Sequence, residues 1–293
     1  MKIIPVNNSQ PAFNGFYDAE KIRQFEKQLQ YFRKINPYLK DIDAVTMRNS
    51  IVSYNSFLKG AESVNPSNVE NQIYKRMGIP AHFQNDKYLA SLTALTLNIF
   101  KKLKLPLPAA VRKEHLDYGV RACCNTTDRA VIFSSAMDWS GTQEEMINER
   151  LRNFVSSGHF LRTHIHEFMH SVHINTLDKL AHKKQAQVNL IHSAWWQQVL
   201  NIPNFKTKMI NDGVKPFKDG NAVKYINEHV SAYGATRPAE MFADVGAQMI
   251  ADTLNYKTIL PKNNPFVFKE FTQDKYLMQM MNDFWTGNYS KYI

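Results

Sequence analysis

The chain has 293 residues, 44% of them hydrophobic, and 36 Lys and Arg against 26 Asp and Glu give it a net charge of +10. No segment approaches the roughly 20 apolar residues of a membrane helix, and the apolar start Ile3 to Val6 runs into Asn7, Asn8 and Ser9 before a secretory h-region can form, so the expectation is a soluble chain without membrane insertion, cytoplasmic or exported by a route without a cleaved signal. The basic excess is +7 over residues 1 to 110 and +3 over residues 111 to 293, and its densest cluster is only Lys101, Lys102 and Lys104, so no nucleic-acid partner is expected.

Along the chain, Ile22, Phe25, Leu29 and Phe32 recur at helical spacing and predict an amphipathic helix over residues 18 to 39, with Pro37 near its end. Leu89, Leu92, Leu95 and Ile99 predict a second from about Asp86 to Lys104, stopped by Pro106 and Pro108. The stretch Leu105 to Ala110 is the best candidate boundary, dividing a mainly helical region, 1 to 110, of unassigned role from a second domain, 111 to 293. In that second part Tyr118 to Cys124 and Ala130 to Ser134 read as two strands of a hairpin, turned by Asn125, Thr126, Thr127 and Asp128. Ala130 to Phe133 is the strand expected to wall a cleft and pair with extended substrate backbone. The chain's two cysteines, Cys123 and Cys124, are adjacent, which suits neither a mutual disulfide nor metal-site spacing, and they read as buried free thiols.

The next helix is expected to start at Ser156 or Ser157 as cap and to run to about Asn175, with Leu161, Ile165, Phe168 and Val172 as its core stripe. Beside that stripe stands His166-Glu167-Phe168-Met169-His170. At about 100° per residue, His170 lies roughly 40° around from His166 and Glu167 roughly 100°, so all three look out on one side. Two imidazoles one turn apart can share a tetrahedral zinc ion, and the carboxylate beside the first can take a proton from water bound there. His164 points elsewhere and His173 lies one turn beyond His170; both read as structural or surface histidines, with a ligand role for His173 left open. Trp195 and Trp196 are expected to pack between the motifs.

Catalytic zinc takes three protein ligands as a rule, and this motif supplies two. The third is sought on a later helix, in Ser231 to Asp244, where Thr236 as cap and Pro238 in the first turn place Glu240 early on a helix continuing past Met249. Glu240 is the expected third ligand. Asp244, one turn on, is placed to accept the free ring N–H of a ligand histidine.

His166-Glu167-x-x-His170 together with Tyr233-Gly234-x-Thr236-x-x-Ala239-Glu240-x-Phe242-Ala243-Asp244 resembles the catalytic domain of anthrax lethal factor and its relatives, including the Pro-Pro endopeptidases. The resemblance covers about residues 115 to 255, and Asp244 stands where these gluzincins often carry Glu. It implies an α+β, zincin-like domain, a small antiparallel or mixed sheet with a metal-binding helix and C-terminal helices. It further implies His166, His170 and Glu240 as ligands of one Zn2+ per chain, Glu167 as base, and Tyr233, seven residues before Glu240, as a donor to the oxyanion. The function implied is a zinc-dependent endopeptidase acting on proteins or peptides, toxin-like or secreted as its relatives are. The alternative is a catalytically silent zincin-fold binding or structural module, against which an intact Glu167 speaks.

Overall fold

Capping side chains and apolar stripes set the helices of the N-terminal half. The structure is a computed structural model and describes residues 17–36, 39, 41–181 and 220–256. Helix α1 (Ala19–Ile35) starts where the Asp18 side chain accepts from the Lys21 N–H at 2.8 Å, and it buries Phe25 and Leu29. Helices α2 (Asp41–Ala61) and α3 (Pro66–Met77) follow, α3 capped by Asn65 and closed by Gly78 at φ 70°, a left-handed position that costs glycine nothing. Neither was anticipated individually. Helix α4 (Lys87–Lys102), capped by Asp86, matches the expected second helix, but Leu95 is exposed. Steps of three residues from Leu89 through Leu92 drift by about 60° each, leaving Leu95 about 120° off the core face. Leu89, Leu92, Thr93, Thr96, Leu97 and Phe100 fill that face instead.

Four short strands form one mixed sheet in the order β1-β2-β4-β3: β1 (Ala81–His82), β2 (Ala110–Glu114), β3 (Ala122–Cys124) and β4 (Ala130–Ser134). β1, β2 and β4 are parallel, and β3 pairs antiparallel with β4 as the expected hairpin. The hairpin begins later than expected, since Tyr118 is fully exposed in the preceding turn. β2 starts within the candidate boundary, and β1 crosses from the N-terminal region to pair with it. One hydrophobic cluster likewise includes Phe25 on α1 and Met249 near the C-terminal end of the described residues. Sheet and core therefore run across residue 110.

The anticipated wall strand is corrected by this topology. β4 lies between β2 and β3, all five of its side chains are buried, and its backbone is hydrogen-bonded on both sides. Among the described residues the strand at the sheet edge beside the histidine motif is β3, which packs on α6 (Arg162–Ala181). After the sheet come a short 3-10 turn and α5 (Thr142–Leu151), then α6, α7 (Gly220–His229) and α8 (Pro238–Tyr256). The fold is α+β with more helix than sheet. No helix among the described residues is long and apolar enough to cross a membrane.

α6 is the central element rather than a surface amphipathic helix. Leu161, Ile165, Phe168 and Val172 are buried as expected, but so is every other residue from Leu161 to Met169. It is enclosed by α4, the sheet and, most extensively, α8. Gly246 permits that last packing, because a Cβ there would come within 2.7 Å of Met169 on α6. The close approach of α6 and α8 brings Glu240 against the two histidines. His164 faces the sheet, its ring stacked on Phe133 at 4.2 Å and edge-on to Trp139 at 5.2 Å. Neither of its ring nitrogens has a hydrogen-bond partner among the described residues, and burial pulls its pKa down to about 3, so it is a neutral core histidine. Trp195 and Trp196 lie outside the described residues.

Candidate metal centre

The start of α6 is set by packing. Ser156 and Ser157, the expected caps, lie in the loop before Arg162: Ser156 Oγ donates to the Asp244 carbonyl at 2.7 Å, and Ser157 Oγ accepts from the His159 N–H at 3.2 Å. With the Ser156 hydroxyl spent on holding α8, the helix begins one turn later. At α8 the cap position belongs to Arg237, extended at φ −163° and ψ 159°, whose carbonyl accepts from the Met241 N–H at 3.1 Å. Pro238 is the first helical residue, as expected, whereas Thr236 instead ends a 3-10 turn by donating to the Tyr233 carbonyl at 2.7 Å. Glu240 thus sits in the first turn of α8, where the helix dipole favours a carboxylate.

Three ligand atoms converge there. His166 Nε2 lies 2.9 Å from Glu240 Oε2, His170 Nε2 lies 3.2 Å from the same oxygen, and the two Nε2 atoms are 3.0 Å apart. Donors on a tetrahedral ion with bonds of about 2.0–2.1 Å stand about 3.3 Å from one another, close to this triangle. The donor set supports the same reading. His166 Nδ1 is 2.8 Å from Asp244 Oδ1, and donating its proton to that carboxylate leaves Nε2 with a bare lone pair. That lone pair then faces a second imidazole nitrogen and a carboxylate oxygen, an arrangement a cation relieves. His166, His170 and Glu240 form a buried group that could hold a metal ion. His166 is sealed in, whereas the His170 side chain is 14% exposed, so the centre opens on the His170 side.

Charged neighbours fix the arrangement. Arg162, the first residue of α6, is buried and pairs with Asp244, which also accepts from the Ser231 hydroxyl. Burial pushes the Asp244 pKa up, but Arg162, His166 and Ser231 outweigh it and hold it at about 2. For Glu240, burial is likewise opposed and outweighed by His166 and His170, so the carboxyl stays well below its ordinary range. Burial and Arg162 pull the His166 pKa down, while Asp244 and Glu240 overcome both and raise it. Arg237 closes the other side, with Nε at 2.9 Å and NH2 at 2.7 Å from Glu240 Oε1.

Glu167 is buried on α6 facing β3; burial first and the Glu167 charge second push up the free thiols of Cys123 and Cys124 on that strand. Those cysteines are only partly buried, short of the full burial expected. The Tyr233 ring centroid lies 5.6 Å from that of His166, with the Arg162 guanidinium 5.7 Å over its face. Burial, then Glu240 and Glu167, raise the pKa of its phenol, which stays protonated. His173 is turned aside and stacks on Phe242 at 4.6 Å.

The structure thus brings His166, Glu167, His170, Tyr233, Glu240 and Asp244 to one place. Sequence reasoning missed Arg162, Ser231 and Arg237. A signal existed for two of them, since Arg162 stands four residues before His166 and Arg237 three before Glu240, the spacings of helical neighbours. Compared with protein-family models, curated proteins and solved structures, the chain finds no match in any of the three.

Proposed function

We propose that the chain is a zinc-dependent endopeptidase. The observation that carries this reading is the triangle of His166, His170 and Glu240, with Asp244 on the far nitrogen of His166 and Glu167 one residue along the same buried helix. Zinc held by the three would polarise a peptide carbonyl and acidify a water molecule. Glu167 takes the proton of that water and returns it to the leaving amine. The Tyr233 O–H, whose pKa burial raises, donates to the oxyanion as the carbonyl carbon becomes tetrahedral. Asp244 holds the His166 ring in one tautomer and orientation, and Arg162 holds Asp244.

Purified protein is expected to contain about one zinc per chain and to cleave members of a diverse peptide library. Glu240→Ala should weaken zinc binding strongly. Zinc bound stoichiometrically with no cleavage of any peptide would favour a silent binding module, and full zinc retention by Glu240→Ala would remove Glu240 from the ligand set.

Substrate backbone is assigned to the outer edge of β3. Ser134 N–H bonds to Arg121 O at 2.7 Å and Asn125 N–H to Ala130 O at 2.8 Å. Alternation along an antiparallel pair then makes Cys123 the residue bonded inward to Ile132, so Ala122 and Cys124 turn their N–H and C=O groups outward. Cys124→Pro deletes one outward donor and leaves the ladder to β4 intact. It should raise KM on the order of 10-fold with zinc content unchanged; an unaltered KM in the folded, zinc-loaded variant would place the substrate elsewhere.

A further inference from the structure

The two oxygens of Glu240 have different surroundings. Oε2 faces the imidazole nitrogens at 2.9 and 3.2 Å, whereas Oε1 accepts from both Nε and NH2 of Arg237 at 2.9 and 2.7 Å. We infer that Arg237 is a positioning residue that keeps Glu240 a one-oxygen ligand, so that the metal centre retains an open position; this rests on the metal-binding part of the proposed function and not on peptide cleavage.

A carboxylate bound through one oxygen fills one place around the ion, and one turned to present both fills two. Zinc with two histidines and a one-oxygen Glu has three protein ligands and a fourth place left for water or substrate. Among the described residues it is the guanidinium that holds Oε1, by two charge-assisted hydrogen bonds to the same atom.

The needs of the helix do not explain Arg237. It occupies the cap position of α8, where Ser, Thr, Asp or Asn would satisfy free N–H groups and where the dipole disfavours a cation. Arg offers no acceptor there. Its side chain is also 39% exposed, so it is no buried pillar of the core, in contrast with Arg162 at 6%. Pro238, with its fixed φ, holds the step from cap to first turn and so keeps Arg237 over Glu240 three residues on.

The experiment uses the full chain as wild type, Arg237→Ala and Arg237→Lys. Zinc affinity is read by competition with a chromophoric chelator, and coordination number from the visible absorption of the cobalt-substituted protein. Thermal unfolding of the metal-free protein provides the folding control. Arg237→Ala should weaken zinc binding by about 10- to 100-fold and lower the cobalt absorption as the site moves from four towards five ligands. Arg237→Lys, a single point charge, should restore part of both. Zinc affinity within about twofold of wild type together with an unchanged cobalt spectrum would overturn the inference. So would a fall in metal-free unfolding temperature large enough to account for the lost affinity, which would make Arg237 a residue of the fold. Failure of the peptidase reading alone would leave the cobalt and zinc results as expected.

Discussion

Glu167→Ala is expected to reduce kcat on the order of 10³-fold or more while zinc content stays near that of the wild type. The carboxylate belongs to the histidine motif but not to the group of converging ligand atoms, so removing it leaves His166, His170 and Glu240 in place. It lies buried on α6, next to His166 in the helix and close enough to β3 for its charge to act on Cys123 and Cys124. In the proposed reaction a base there would take the proton of the water and pass it to the leaving amine. The measurement is kcat and KM on one cleaved peptide, with metal content on the same preparations. Loss of zinc in parallel with activity would make Glu167 a structural support of the site, and undiminished kcat would require a different base.

Tyr233→Phe should cost on the order of 10²-fold in kcat with KM barely changed. Burial first, then the Glu240 and Glu167 charges, raise the pKa of the phenol and so favour the protonated form that can donate. In the proposed reaction its contribution would grow as negative charge develops on the carbonyl oxygen, so the loss should fall on kcat rather than on substrate affinity. The ring itself is kept by Phe154 and Arg162, contacts the Phe variant retains. Metal content and unfolding temperature should therefore match wild type. A variant with full kcat would make Tyr233 a packing residue and remove the most detailed point of resemblance to the lethal factor relatives.

Legibility from sequence followed the locality of the physics. Helices α1 and α4 could be read because their apolar residues repeat at helical spacing and prolines follow them; the Asp18 and Asp86 caps are equally local signals that the structure adds. The β3-β4 hairpin could be read because the turn lies between its strands. β1 and β2 could not, since no turn links them and their parallel pairing joins segments far apart in the chain.

By itself the sequence determined the donor types and the pairing of His166 with His170, because a helix one turn long places both imidazoles on one side wherever it is packed. It also set Asp244 one turn beyond Glu240. Tertiary structure decided the rest. Only the packing of α8 on α6, close because Gly246 has no side chain, brings Glu240 Oε2 within 2.9 Å of His166 across 74 residues of chain. Only the sheet order puts β4 inside and, among the described residues, β3 at the edge, since which strand lies outermost depends on where β2 inserts and not on either strand's own residues. Arg237 is the same case: its spacing to Glu240 is local, but that Oε1 rather than Oε2 receives it depends on which oxygen the histidines of another helix already face.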